Sequence, residues 1–138
     1  MYQNEIPVGD SPEDVERRSV IIRDFYRQWK EQNPSQRKYN LSLGEYINIR
    51  MISITETSRH AAKRYNSTLA VLQLDAILTN AKKKSVSKTK QGSKNQNQFE
   101  RMLIMEYDCV GIGIVKMTVG IKRRTYEKVQ YCITALEV

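Results

Sequence analysis

The sequence predicts an α+β domain, with N-terminal helices packed on one face of a C-terminal antiparallel sheet of about four strands. Apolar residues before position 82 recur at helical spacing, whereas those after position 98 alternate with polar ones. Between the two lies a lysine-rich segment with neither period. A chain of 138 residues has room for one core of ordinary size, so 1–138 is read as a single domain.

The first element is a helix over 11–31. Ser11 can accept a backbone N–H, Pro12 is preset for the first turn, and Glu13 and Asp14 face the positive end of the helix dipole. Val15, Ile22, Phe25 and Trp29 fall on one face, Arg17, Arg23, Arg27 and Lys30 fall elsewhere, and Asn33-Pro34-Ser35 ends the run. From Leu41 to Ile54 the alternation of Ile47, Ile49 and Met51 shifts phase at Ile52 and Ile54, as in a bulged strand or one ending at Ser53. Thr55 to Ser58 then offers caps, and Ser67 to Ala81 reads as a helix with Leu69, Leu72, Ala76 and Ile77 inward, continuous with what precedes it or broken near Asn66.

Residues 82–98 hold six lysines, no acid and one aliphatic residue, Val86, and are read as a flexible basic loop. After it, Met102 to Tyr107, Val110 to Lys122 and Lys128 to Leu136 read as antiparallel strands, with Arg123 to Glu127 as a hairpin connection. A turn centred on Thr125 sets Ile121 against Val129, Val119 against Tyr131, Met117 against Ile133 and Val115 against Ala135, all on the core face. The core is therefore expected to hold Val15, Ile22, Phe25, Trp29, Leu69, Leu72, Ile77, Val115, Met117, Val119, Tyr131 and Ile133. The opposite face would carry Lys116, Thr118, Lys122, Lys128, Gln130, Cys132 and Thr134, an array suited to a ligand surface. Gly111 and Gly113 lack the surroundings of a phosphate loop.

Composition excludes several classes. Hydrophobic residues make up 40% and charged ones 28%, and no apolar run approaches the roughly 18 residues of a spanning helix, so no membrane partner is expected. Met1 to Glu5 is not a basic region leading into an apolar stretch, which argues against secretion and for the cytoplasm. Cys109 and Cys132 sit in apolar runs as small hydrophobes, and two distant cysteines with one histidine fall short of a zinc site; no metal or cofactor is expected. The net charge of +8 is unevenly placed: +1 over residues 1–81, +6 over 82–98 and +1 over 99–138. Such a concentration fits a polyanion partner, and it fits a solubilising linker equally well.

One constellation could carry chemistry. Ser58-Arg59-His60-Ala61-Ala62-Lys63-Arg64 sets the single histidine among cations, and helical spacing would place Lys63 and Arg64 on its face. Such a face attracts phosphate, and cations beside an imidazole disfavour its protonation, which leaves a base available near neutral pH. A histidine at a helix start is also commonly just a half-exposed polar residue.

The order of an extended segment, the Ser58-x-His60 helix, Leu72-Gln73-Leu74-Asp75-Ala76-Ile77-Leu78-Thr79-Asn80-Ala81, a polar insert, the Phe99 strand, Val115-Lys116-Met117-Thr118-Val119 and Tyr131-Cys132-Ile133 resembles the barnase/EndoU/colicin/RelE-like nuclease domains of large polyvalent proteins in phages and other mobile elements. It spans about residues 52–136 and leaves the helix through Trp29 outside. The resemblance implies helices followed by a four-stranded antiparallel sheet, and metal-independent RNA cleavage in active members. On that reading His60 is the general base on a ribose 2′-hydroxyl or the acid to the leaving oxygen. Lys63, Lys116 and Arg124 would neutralise the phosphorane, and Thr118 and Tyr131 would be polar contacts, although the hairpin register sends Tyr131 to the core. Arg59, Arg64, Lys82, Lys83, Lys84, Lys88, Lys90, Lys94, Lys122 and Arg123 would bind nucleic acid, RNA in preference to DNA. The alternative is a module that binds nucleic acid or a protein partner and breaks no bond.

Overall fold

Helix α1 (Pro12–Gln32) begins where Ser11 Oγ accepts the Asp14 N–H at 3.1 Å, and it ends at Asn33, whose N–H and side-chain amide both bond the Trp29 carbonyl. The computed structural model describes residues 6–89 and 96–136. After α1 come β1 (Arg37–Asn40), β2 (Glu45–Asn48), α2 (Met51–Ala61), α3 (Tyr65–Val71), α4 (Leu74–Asn80), β3 (Lys82–Lys88), β4 (Phe99–Cys109), β5 (Gly113–Lys122) and β6 (Lys128–Ala135). The chain is α+β, with four helices and a sheet of six strands among the described residues, in the order β1-β2-β6-β5-β4-β3. No helix among them is long and apolar enough to cross a membrane.

The sheet departs from the sequence expectation of about four antiparallel strands in two ways. The hairpin of β1 and β2 joins the β6 edge through a short parallel pairing, Ile47 to Lys128 and Asn48 to Val129, which makes the sheet mixed. The start of the lysine segment is also a strand rather than a loop. Residues Lys82 to Lys88 pair antiparallel with β4, from Lys82 opposite Glu106 to Lys88 opposite Arg101. Backbone hydrogen bonds to β4 order this strand, whose one apolar side chain, Val86, is exposed, and lysines on an edge strand discourage pairing with a further chain. Lys90 and Lys94 lie outside the described residues.

Two other expectations change. The phase shift after Met51 marks a switch from strand to helix: β2 stops at Asn48, Ile49 is buried, and the Arg50 N–H donates to Ser53 Oγ at 3.0 Å as α2 begins. The helical run to Ala81 is broken at Ala62–Arg64 and again at Leu72–Gln73, while Asn66 lies inside α3. Those breaks re-aim the successive short helices, so Ala70, Val71, Leu74, Ile77 and Leu78 are buried and Leu69, Leu72 and Ala76 only half-buried.

The main core fills the space between the helices and the inner sheet face. Ile22, Tyr26 and Trp29 of α1 meet Leu74, Ile77 and Leu78 of α4 and the inward residues of β4, β5 and β6, including Leu103, Met105, Val115, Met117, Val119 and Ile133. Val15 and Phe25 pack at its margin. Arg18 is fully buried in α1 and holds the end of α2: its guanidinium donates to the carbonyls of Ala62 at 2.8 Å, Pro7 at 2.9 Å, Gly9 at 2.6 Å and Lys63 at 3.3 Å.

The β5–β6 hairpin follows the expected register only at its far end. Val115 opposes Ala135 and Met117 opposes Ile133, but a β-bulge between Thr118 and Val119 then sets Val119 against Gln130 and Gly120 against Val129. The extra residue exchanges the faces of two side chains. Gln130 turns inward and is fully buried, instead of displaying itself outside. Tyr131, expected in the core beside Val119, joins a separate small cluster with Phe99, Met102 and Val129, on the other side of the sheet.

Candidate active site

The strip of α2 from Ile52 to His60 packs beside β6 beyond Val129, where β2 no longer pairs with that strand. Three contacts set its depth. Gln130 Nε2 donates to Thr57 Oγ1 at 2.8 Å, Gln130 Oε1 accepts from the Tyr26 hydroxyl at 2.5 Å, and Cys132 Sγ lies 3.8 Å from the Glu56 carbonyl. With α2 so placed, Glu56 and His60, one helical turn apart, lean over the outer face of the sheet.

Glu56 is the hub. Its side chain is 3% exposed, with Oε1 3.5 Å from His60 Nε2 and Oε2 3.8 Å from Arg59 Nη1. Tyr131 is hydrogen-bonded to the same carboxyl group, and its phenol is pushed up to about 12, chiefly by burial and then by that bond. Burial and the charge of Glu56 likewise push the Cys132 thiol up to about 12, with Lys116 opposing. Both groups therefore stay protonated at neutral pH. The Thr118 hydroxyl donates to the Cys132 carbonyl at 3.3 Å.

These side chains line an open cleft of about 340 Å³. It brings together His60, Lys116, Thr118 and Tyr131, adds Ser87 and Lys88 from β3 and Cys132 and Thr134 from β6, and is also lined by Gln96, Met102 and Ile104. Lys116 stands opposite Glu106 on β4 and Thr134 on β6. The cleft thus offers an imidazole backed by a buried carboxyl group, two lysines and several hydroxyls. That set can move a proton beside a bound anion.

The remaining predicted residues lie elsewhere. Lys63 does not share a helical face with His60, because α2 ends at Ala61; its carbonyl is held by Arg18 and its side chain is exposed. Arg64 caps α3, also past that end. Arg124 lies in the tight β5–β6 turn with φ 72, beyond the end of β5, and does not line the cleft. Arg59 is exposed and paired with Glu56, Lys82, Lys83 and Lys84 are exposed along the β3 edge, and Lys122 is half-buried where β5 ends. Arg123 is held by its Nε donating to the Asn97 carbonyl at 3.1 Å.

Glu56 escapes a sequence reading that takes Thr55 to Ser58 as capping positions after a strand that is bulged or ends at Ser53. Once residues 51–61 are taken as helical, its spacing of four from His60 is the signal that finds it. A larger hollow of about 510 Å³ lies between α1 and the Leu72–Ala76 stretch, lined by Phe25, Trp29 and three glutamines. Its one carboxyl group, Asp75, is engaged by Trp29 Nε1 at 2.7 Å and Lys38 Nζ at 3.7 Å, so it lacks a proton-transfer pair. Among the described residues no three His, Cys, Asp or Glu side chains gather closely enough to hold a metal ion. Comparison with family models, curated proteins and solved structures gives no match to this chain.

Proposed function

We propose that the domain cleaves single-stranded RNA at the His60 cleft by metal-independent transesterification. The observation that carries this reading is the convergence of His60, backed by buried Glu56, with Lys116 and Lys88 in one open cleft. The resemblance of residues 52–136 to barnase/EndoU/colicin/RelE-like domains supports the same chemistry.

In the reaction so read, His60 takes the proton of a ribose 2′-hydroxyl as that oxygen attacks phosphorus. The P–O5′ bond breaks on the side of phosphorus away from His60, the leaving 5′-oxygen takes a proton from water, the imidazolium gives its own proton back to solvent, and the products are a 2′,3′-cyclic phosphate and a 5′-hydroxyl. Glu56 is too buried to touch substrate; it favours the transient imidazolium and orients the ring, as a carboxylate does behind a catalytic histidine elsewhere. Tyr131 anchors Glu56 through its neutral phenol, and Lys116 and Lys88 offset charge on the phosphorane.

The test is incubation of end-labelled single-stranded RNA in EDTA with wild-type protein, His60→Ala and Glu56→Gln. Wild type should yield cyclic-phosphate ends, and His60→Ala should be slower by about 10²–10⁴-fold. Substrate with a 2′-deoxy sugar at the cut should persist. Absence of cleavage by wild type across pH 5–9, with a salt-sensitive mobility shift retained, would replace this reading with a module that binds and does not cut.

A further inference from the structure

A second hollow adjoins the first. It measures about 420 Å³, is lined by Lys88, Thr89, Glu100, Arg101 and Arg123, and shares Lys88 with the His60 cleft. We propose that it is a phosphate subsite for the nucleotide next to the cut, so that the RNA strand passes from the cleft over Lys88 and the domain cuts within a chain. This assignment rests on the ribonuclease reading above.

The charge arrangement favours an anion there. Lys88 and Arg101 stand directly opposite each other across β3 and β4. Facing pairs of this kind have Cβ atoms about 4.5–5.5 Å apart, and like charges so placed are destabilising. Arg123 brings a third cation, its guanidinium steadied from one side by the Asn97 carbonyl. Glu100 offsets only one of the three. A phosphate among them relieves the repulsion and can take the forked donors of two arginines, a recognition that lysine alone does not supply. The cleft itself, at about 340 Å³, lies near the lower end of ligand pockets, roughly 300–1,000 Å³, and so leaves the neighbouring nucleotide to the second hollow.

The experiment compares a uridine dinucleotide, whose only phosphate is the scissile one, with a uridine decamer, using wild type, Arg101→Gln, Arg123→Gln and the double variant. Unchanged thermal unfolding of the variants establishes that they fold. The double variant should lose about tenfold or more in kcat/KM on the decamer and stay within about twofold on the dinucleotide. Its decamer binding should also lose about 0.7 from the slope of log affinity against log salt for one phosphate contact on a single strand. Equal losses on both substrates, or none on either, overturn the subsite. If wild type cuts neither substrate the ribonuclease reading fails by itself; the subsite is then decided by decamer affinity, and a Kd unchanged in the double variant overturns it.

Discussion

Tyr26 and Gln130 sit 104 residues apart, are both fully buried, and join α1 to β6 through the 2.5 Å bond from the Tyr26 hydroxyl to Gln130 Oε1. Gln130 passes the link to α2 through Thr57 Oγ1 at 2.8 Å. Tyr26→Phe keeps the ring and removes the donor, leaving Gln130 Oε1 buried without a partner, at a cost of about 1–3 kcal/mol. Gln130→Leu removes the amide bonded to both hydroxyls, leaving those of Tyr26 and Thr57 only their bond to each other, and should cost about 1–3 kcal/mol. The double variant Tyr26→Phe/Gln130→Leu strands only Thr57, so the two changes should fall short of additivity by about 1–2 kcal/mol. Urea unfolding followed by tryptophan fluorescence reads these values, with Trp29 as the only reporter, and a constant m-value licenses the comparison. Additivity within about 0.5 kcal/mol would refute the coupled network. Since Thr57 adjoins Glu56, both single variants should also lower RNA cleavage more than their stability at the assay temperature explains.

Arg18→Met should destabilise by about 2–4 kcal/mol in the same urea assay, because the carbonyls of Ala62 and Lys63 at the end of α2 lose their donor; a change under 0.5 kcal/mol would show that water replaces the guanidinium. Gly120→Ala should cost about 1–3 kcal/mol, since its added Cβ would lie 2.5 Å from the buried Phe99 ring, and Phe99→Leu in the same chain should recover part of the loss. Stability should be fully present below about pH 9 and decline as pH rises toward 12. Cys132 and Tyr131 hold their protons to about 12 in the folded state against ordinary values of 9.0 and 10.0, so the unfolded chain releases them first; Cys132→Ala should flatten that decline in a series of unfolding curves.

The parts of the fold legible in the sequence are those where one local signal and one burial pattern agree. Ser11-Pro12 with the Ile22 and Trp29 stripe is such a place, and so is the pairing of Met117 with Ile133. Short elements were not legible, because their ends depend on partners distant in sequence. Residues 82–88 have the composition of a loop and become β3 only by pairing with β4. Residues 45–48 alternate for too few positions to separate from the helix that starts at Met51, and with Thr55 to Ser58 read as caps the spacing of Glu56 from His60 carries no helical meaning. Lys63 and Arg64 failed as helical neighbours of His60 for a related reason, since α2 stops at Ala61 where Arg18 takes over the end carbonyls.

The site depends on one irregularity that period-two reading cannot contain. Strict alternation from Ile133 backward would put Tyr131 beside Val119 in the core and Gln130 outside. Tyr131 would then be out of reach of Glu56, and Thr57 would have no amide to hold it. The bulge opposite Thr118 and Val119 reverses both positions at once. Gln130, turned inward, fixes α2 against β6 through Thr57, and Tyr131, turned outward, fixes the carboxyl group that backs His60. Anchor and cleft therefore come from the same added residue. A bulge interrupts the ladder, and its persistence here has a physical reason in the buried amide bonded on both sides and the phenol bonded to Glu56. The same two contacts make the separation of His60 from Lys116 and Thr118 insensitive to motion of the hairpin turn, because α2 and β6 are tied together at Gln130, close to the cleft and away from the turn at Thr125.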